Sequence, residues 1–277
     1  MKKAVDEAAV HSLVLLGKPI QKHGLEMWGL PMRQYEEWAK CKNVWLTRQS
    51  TLPVFCIQLS FLDAMFRLDI EAIKQTGKPA GWLYNIMYCL GLSLRFGEDC
   101  VKEQKIHIVT SDDEEKLKCI RVNFDNGKSV DITPAQFKSI RKIVAWAQGE
   151  TLPDETLNSD LVETEELLSQ RSNVPLVYSL TDLKASVALA CGSRIKDINE
   201  WPILEFETMR RAIDRNKKYL ICGIGSTNGC SWDGGNPYPS WCFDRNNDNR
   251  TTALISQGPW NTGLRDRFPY PVRYRSP

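Results

Sequence analysis

Nine cysteines, three histidines and one run of close-set carboxylates are the residues of this chain whose types could do chemistry. Cys222, Cys230 and Cys242 fall within one segment and could hold a metal with a distant fourth ligand. No C-x-x-C occurs, and His11, His23 and His107 have no cysteine at metal-ligand spacing. Reduced thiols are therefore the favoured reading, with no metal and no cofactor expected. His107 stands in Lys-Ile-His-Ile-Val (105–109), on the strand face opposite its apolar neighbours, with no nucleophile or carboxylate paired to it. It reads as a solvated strand histidine. The glycines from Gly223 to Gly229 end in no G-K-[ST], and neither G-x-S-x-G nor H-E-x-x-H is present. An enzyme working around Asp233, Asp244 and Cys242 is the weakest hypothesis, and the chain reads as non-catalytic.

Charge is balanced overall, at a formal net of +2, but unevenly placed. No Lys or Arg occurs from Ile143 to Gln170, where Glu150, Asp154, Glu155, Asp160, Glu163, Glu165 and Glu166 cluster. The stretch suits either a solvated helix face or a docking face for a basic partner. Arg245, Arg250, Arg265, Arg267, Arg273 and Arg275 make the C-terminal tail basic, but interspersed acids make nucleic acid an unlikely partner. The longest uncharged run, Pro79–Leu94, is shorter than the ~20 residues a spanning helix needs. No secretion signal opens the chain, so an intracellular protein without a membrane partner is expected.

The elements that must position these residues centre on 118–146. Cys119–Phe124 and Lys128–Ile132 each alternate apolar and polar residues, and Asp125-Asn126-Gly127 between them suits a tight hairpin. Thr133, Pro134 and Gln136 then spell a capping box. Phe137, Ile140, Arg141, Val144 and Ala147 follow on one helical face. With the strand at 105–109, this predicts a three-stranded antiparallel meander covered by that helix and by N-terminal helices. Residues 1–30 read as loosely structured. Helices are predicted from Leu30-Pro31, from Thr51-Leu52-Pro53 through Phe55, Leu59 and Phe66 to Ile70, and over Trp82–Leu94. Further helices start at Asn158 or Ser159, at Ser179 or Thr181, and before Ile203, the last closing with Arg215, Lys217 and Lys218.

The fold class is thus α+β and mainly helical: a small antiparallel meander packed on helices, with an irregular Gly/Pro/aromatic C-terminal tail. The predicted divisions are residues 1–103, 104–150, 151–216 and 217–277. In that last part, Trp232, Tyr238, Trp241, Trp260, Phe268 and Tyr270 are spaced aromatics that could anchor a partner protein or pack back on the chain's own helices.

Several local sequences carry a likeness: Pro31-Met-Arg-Gln-Tyr35; Ile132-Thr-Pro-Ala-Gln-Phe137-Lys-Ser-Ile-Arg141-Lys-Ile143; Glu205-Phe-Glu-Thr-Met209-Arg-Arg-Ala-Ile-Asp214; Lys218-Tyr219; Gly225-Ser-Thr-Asn-Gly229; and Pro-Ser-Trp241. In this order the chain resembles a set of tail-region proteins placed among the tail assembly chaperones of long-tailed bacteriophages of Gram-positive bacteria. The resemblance implies binding without catalysis, coating the tape-measure protein and recruiting tail-tube protein during virion morphogenesis. It further implies the host cell cytoplasm as location and leaves room for self-association. A structural tail or connector protein of the virion is the alternative.

Overall fold

The computed structural model describes residues 6–111, 116–153 and 179–227 of the 277-residue chain. The chain divides into two compact units, Met1–Phe206 and Glu207–Pro277. The first has the α+β, mainly helical architecture expected.

Helix α1 (Glu7–Leu15) is capped by Asp6, whose carboxylate accepts from the Ala9 amide at 2.7 Å. A hairpin follows, β1 (Ile20–Lys22) and β2 (Leu25–Met27), paired Lys22 to Leu25 across a two-residue turn. Residues 1–30 are therefore not loose: from Glu7 on they supply Val10, Val14, Ile20, Leu25 and Met27 to the core. The hairpin hid because its turn is His23-Gly24, both residues left-handed, where Asn-Gly would be the ordinary signal.

The helix predicted from Leu30-Pro31 starts later. A 3₁₀ turn (Met32–Gln34) precedes α2 (Tyr35–Leu46), since Leu30–Arg33 is engaged elsewhere. Its backbone pairs with a distant segment: the Met32 amide donates to the Trp201 carbonyl at 2.8 Å, Arg33 to Asn199 at 3.0 Å, and Ile203 returns to Leu30 at 2.8 Å. The single helix expected from residue 51 is two. α3 (Val54–Ile57) lasts one turn, and Ser60 caps a new start, α4 (Phe61–Thr76), accepting from the Asp63 amide at 3.2 Å. α5 (Trp82–Ser93) is buried nearly all round, as its composition suggested. Its Gly91 touches the 98–102 turn so closely that a Cβ there would collide with the Cys100 sulfur.

The meander forms in the order β3 (Ile106–Thr110), β4 (Leu117–Asn123), β5 (Ser129–Ile132), antiparallel throughout. Register pairs Ile106 with Val122, Ile108 with Ile120, and Ile120 with Ile132, so one face is apolar. On the other, Arg121 makes two bonds to Asp131, at 2.6 and 2.8 Å. The β4–β5 connection is wider than a two-residue turn: the Gly127 amide closes on the Phe124 carbonyl at 3.0 Å, and only Gly127 is left-handed. α6 (Pro134–Ala147) begins with the expected capping box, the Gln136 amide on Thr133 Oγ1 and the Thr133 amide on Gln136 Oε1.

Further on, α7 (Leu180–Cys191) is capped by Ser179 and stopped by a left-handed Gly192. A short α8 (Ile195–Ile198) and then α9 (Ile203–Thr227) follow. α9 does not end near Lys218 but continues through Gly223 and Gly225 to Thr227. Two glycines in the last turns weaken a helix by about 1 kcal/mol each relative to alanine without forbidding it. The predicted helix at 158–169 lies outside the described residues, as does the tail beyond Thr227.

At the centre of the first unit Arg141 is buried on α6. It donates from Nε to the Trp45 carbonyl at 2.8 Å and from a terminal nitrogen to the Thr47 carbonyl at 2.6 Å, satisfying the C-terminus of α2. Its guanidinium lies 3.5 Å above the Phe61 ring, and Phe137 contacts both Phe61 and Trp45. Arg141→Met keeps the volume and strands both carbonyls, so we expect a stability loss of about 2–3 kcal/mol in urea denaturation. Thr133→Ala, which removes only a cap, is expected to cost about 1 kcal/mol.

Candidate functional site

α2 presents Glu37, Lys40 and Cys41 on one face, spaced three and four apart, and packs along α5. α5 is apolar almost throughout, but Tyr84, Asn85 and Tyr88 break the pattern on the side that meets α2. Together with Glu98, Asp99 and Lys102 from the turn after α5, these residues line a groove of about 300 Å³. Glu37 is its polar centre, accepting from Lys40 Nζ at 2.6 Å and from the Tyr88 hydroxyl at 2.8 Å. The Cys41 thiol donates to Asn85 Oδ1 at 3.8 Å, and the rings of Tyr84 and Tyr88 stack with centroids 6.0 Å apart.

The contacts within the groove set the charge states of its side chains. The Lys40 hydrogen bond, then that from Tyr88, lower the Glu37 carboxyl below its ordinary 4.5, so it stays ionised at neutral pH. Burial, then the bond to Glu37, push the Tyr88 phenol well above its ordinary range. Burial, reinforced by the Glu37 charge, raises the Cys41 thiol to about 11. None of the three is poised to exchange a proton near pH 7, which general acid–base catalysis needs. Nor is Cys41 a ready thiolate nucleophile.

One histidine–hydroxyl pair exists among the described contacts: His23 Nε2 lies 2.8 Å from Ser139 Oγ. Ser139 also donates to the Gln136 carbonyl within α6, at 2.8 Å. The contact pins the β1–β2 turn to α6. His107, half-exposed in β3, has its Nδ1 3.3 Å from the Gln104 carbonyl, consistent with the solvated strand histidine expected.

The other notable surface is apolar. Because α3 is one turn long, it buries only Cys56. Val54, at 84 % exposure, Phe55, Ile57 and Leu59 stand out from the body. The amide of Gln49 braces the segment from behind, against the carbonyls of Cys56, Ile57 and Leu59. The sequence had placed Phe55 and Leu59 on the apolar face of one long helix, but the break at Ser60 turns them to solvent. The signal for this was present in Ser60-Phe-Leu-Asp63, a serine with an acid three residues on.

The six aromatic residues singled out as partner anchors, Trp232, Tyr238, Trp241, Trp260, Phe268 and Tyr270, lie outside the described residues. So do Cys230 and Cys242, while Cys222 is buried on α9. Among the described residues no group of three or more His, Cys, Asp or Glu could hold a metal ion. No described helix is long and apolar enough to cross a membrane. No family model, curated protein or solved structure matches this chain.

The groove makes a pH-dependent contribution with a defined sign. A carboxyl whose folded pKa is depressed stabilises above its unfolded value, and that stabilisation is lost as pH falls through the folded one. For Glu37 the window lies below pH 4.5. We expect Tyr88→Phe, which deletes one of the two donors, to move the Glu37 titration back toward 4.5 in side-chain carboxyl NMR.

Proposed function

We propose that this protein is a non-catalytic binding protein of phage tail morphogenesis, an assembly chaperone for the tape-measure protein, the tail-tube protein or both. The observation that carries the binding part is the braced apolar surface of Val54, Phe55, Ile57 and Leu59. Apolar side chains held out from an ordered body are the usual sign of a protein-docking surface. Preorganisation lowers the entropy that a partner must overcome. The phage part rests on the sequence likeness set out above. The two fit physically, because an extended amphipathic partner needs its apolar stripe covered until the tube replaces the chaperone. The acid–base properties of the groove add support, since they favour recognition over proton transfer.

Quantitative mass spectrometry of purified particles, set against the lysate of the producing strain, tests the proposal. Abundance in lysate with absence from particles is the expected result. Constant stoichiometry in particles would overturn it in favour of a structural tail or connector protein. At the surface itself, Phe55→Asp with Ile57→Asp should abolish co-purification with the partner while leaving thermal stability within about 0.5 kcal/mol, as for exposed substitutions generally.

A further inference from the structure

β3 is an edge strand, and the bonds around it fix which of its backbone groups face outward. Along an antiparallel pair, residues alternate between bonding the neighbouring strand and turning their amide and carbonyl away from it. The Asn123 amide donates to the Lys105 carbonyl at 2.7 Å, so Lys105 faces β4, and His107 and Val109 face it in turn. The register shift after Val109 leaves its extra residue, Lys118, on β4, and the Ser111 amide still reaches the Lys116 carbonyl at 2.9 Å. Ile106, Ile108 and Thr110 therefore turn their backbone groups away from β4. The Ile106 amide agrees with this phase, donating away from the sheet to the Cys100 carbonyl at 3.3 Å. Among the described residues nothing takes the amides and carbonyls of Ile108 and Thr110.

The side chains show the same unfinished edge. Ile132, Ile120 and Ile108 stand in one cross-strand row; the first two are buried, whereas Ile108 at the rim is half-buried. Edge strands are ordinarily guarded by lysine, proline or other charges. At the opposite edge β5 carries Asp131, with Lys128 just before it. Ile106–Thr110 has neither a formal charge nor a proline.

We propose that β3 takes an extended segment of a partner protein as a fourth strand, bonded to Ile108 and Thr110 and setting an apolar side chain against Ile108. The open donors and acceptors recur at every second residue, a spacing that an extended chain matches and a helix, with its backbone bonded internally, does not. In this mode main-chain bonds supply the affinity, and the side chain at the rim supplies selectivity. A second copy fits poorly. The 98–104 turn, whose Cys100 carbonyl takes the Ile106 amide, closes the outer side of the strand at that end. A second β3 laid antiparallel would carry its continuation past Ser111 into that turn, whereas a free segment ends short of it. The inference uses β3 alone and does not depend on the tail-assembly reading.

The test uses the full-length protein and a fluorescein-labelled peptide of about six alternating threonines and valines, flanked by lysines for solubility. A counterpart N-methylated along its backbone, which cannot donate, is the control. Saturable anisotropy binding of the first peptide is expected, at least about tenfold weaker for the methylated one. Ile108→Pro removes an outward amide without removing a ladder bond, so it should weaken binding as much while leaving the circular dichroism unchanged. A second measurement needs no variant. In amide exchange by NMR, His107 and Val109 should be protected in the free protein and Ile108 and Thr110 should not, until the peptide slows both at least about tenfold. No saturable binding, equal binding of the methylated peptide, or a protected Ile108 amide in the free protein overturns the proposal. Protection of Ile108 that rises with protein concentration alone would put a second copy on the edge and overturn it equally.

Discussion

A guanidinium taken out of water holds the first unit of this protein together. Burying a charge is costly unless its donors find acceptors, and Arg141 finds two carbonyls at the C-terminus of α2. Trp45 and Thr47 present carbonyls that α2 itself cannot satisfy, at the negative end of its dipole. The planar cation then lies on Phe61, which opens α4, while Phe137 from Arg141's own helix wedges between Phe61 and Trp45. Three helices distant in sequence are thereby set in one arrangement. Geometry this demanding accepts few alternatives, so it specifies the packing as well as stabilising it.

A second buried polar contact does similar work. Asp69 on α4 accepts from the amides of Gly81, at 2.8 Å, Trp82, at 3.2 Å, and Leu83, at 2.9 Å, and so caps α5 from a neighbouring helix. α5 has no capping side chain of its own, since Gly81 stands at its N-cap. Gln148 extends the pattern by accepting from the Leu30 amide at 3.0 Å, just past the end of α6. Leu30–Arg33 is then closed onto 199–203 by backbone bonds and by Lys184, which donates to Asn199 at 2.7 Å. Such contacts fix where α2 and α5 lie, and with them the groove around Glu37.

The functional reading follows from how this body treats its side chains. Ionisable groups in the groove are committed to one another, with Glu37 held charged and Tyr88 held neutral. Apolar groups, by contrast, are left at the surface in several places among the described residues, α3 on the first unit and the end of α9 on the second among them. This arrangement is what supports the proposed binding role, to which the sequence likeness to tail assembly chaperones lends a biological setting.

Local patterns by themselves determined the meander, the capping box at Thr133, the Gly192 stop and the buried character of α5, and narrowed the cap of α7 to Ser179 or Thr181. Each is decided within a few residues, by alternation, capping or composition, so one stretch contains the whole signal. Tertiary structure alone decided the rest. Asp69 capping α5 and Arg141 closing α2 join residues that no periodicity relates. The hairpin at Ile20–Met27 depends on a His-Gly turn that its neighbours stabilise, His23 by its contact with Ser139. The break between α3 and α4 is the exception, since Ser60 and Asp63 carried its signal locally, and it turned Phe55 outward. α9 runs on through two glycines, though propensity argues for an earlier stop. Propensity counts one residue at a time, whereas burial and hydrogen-bond satisfaction count the contacts that folding brings together.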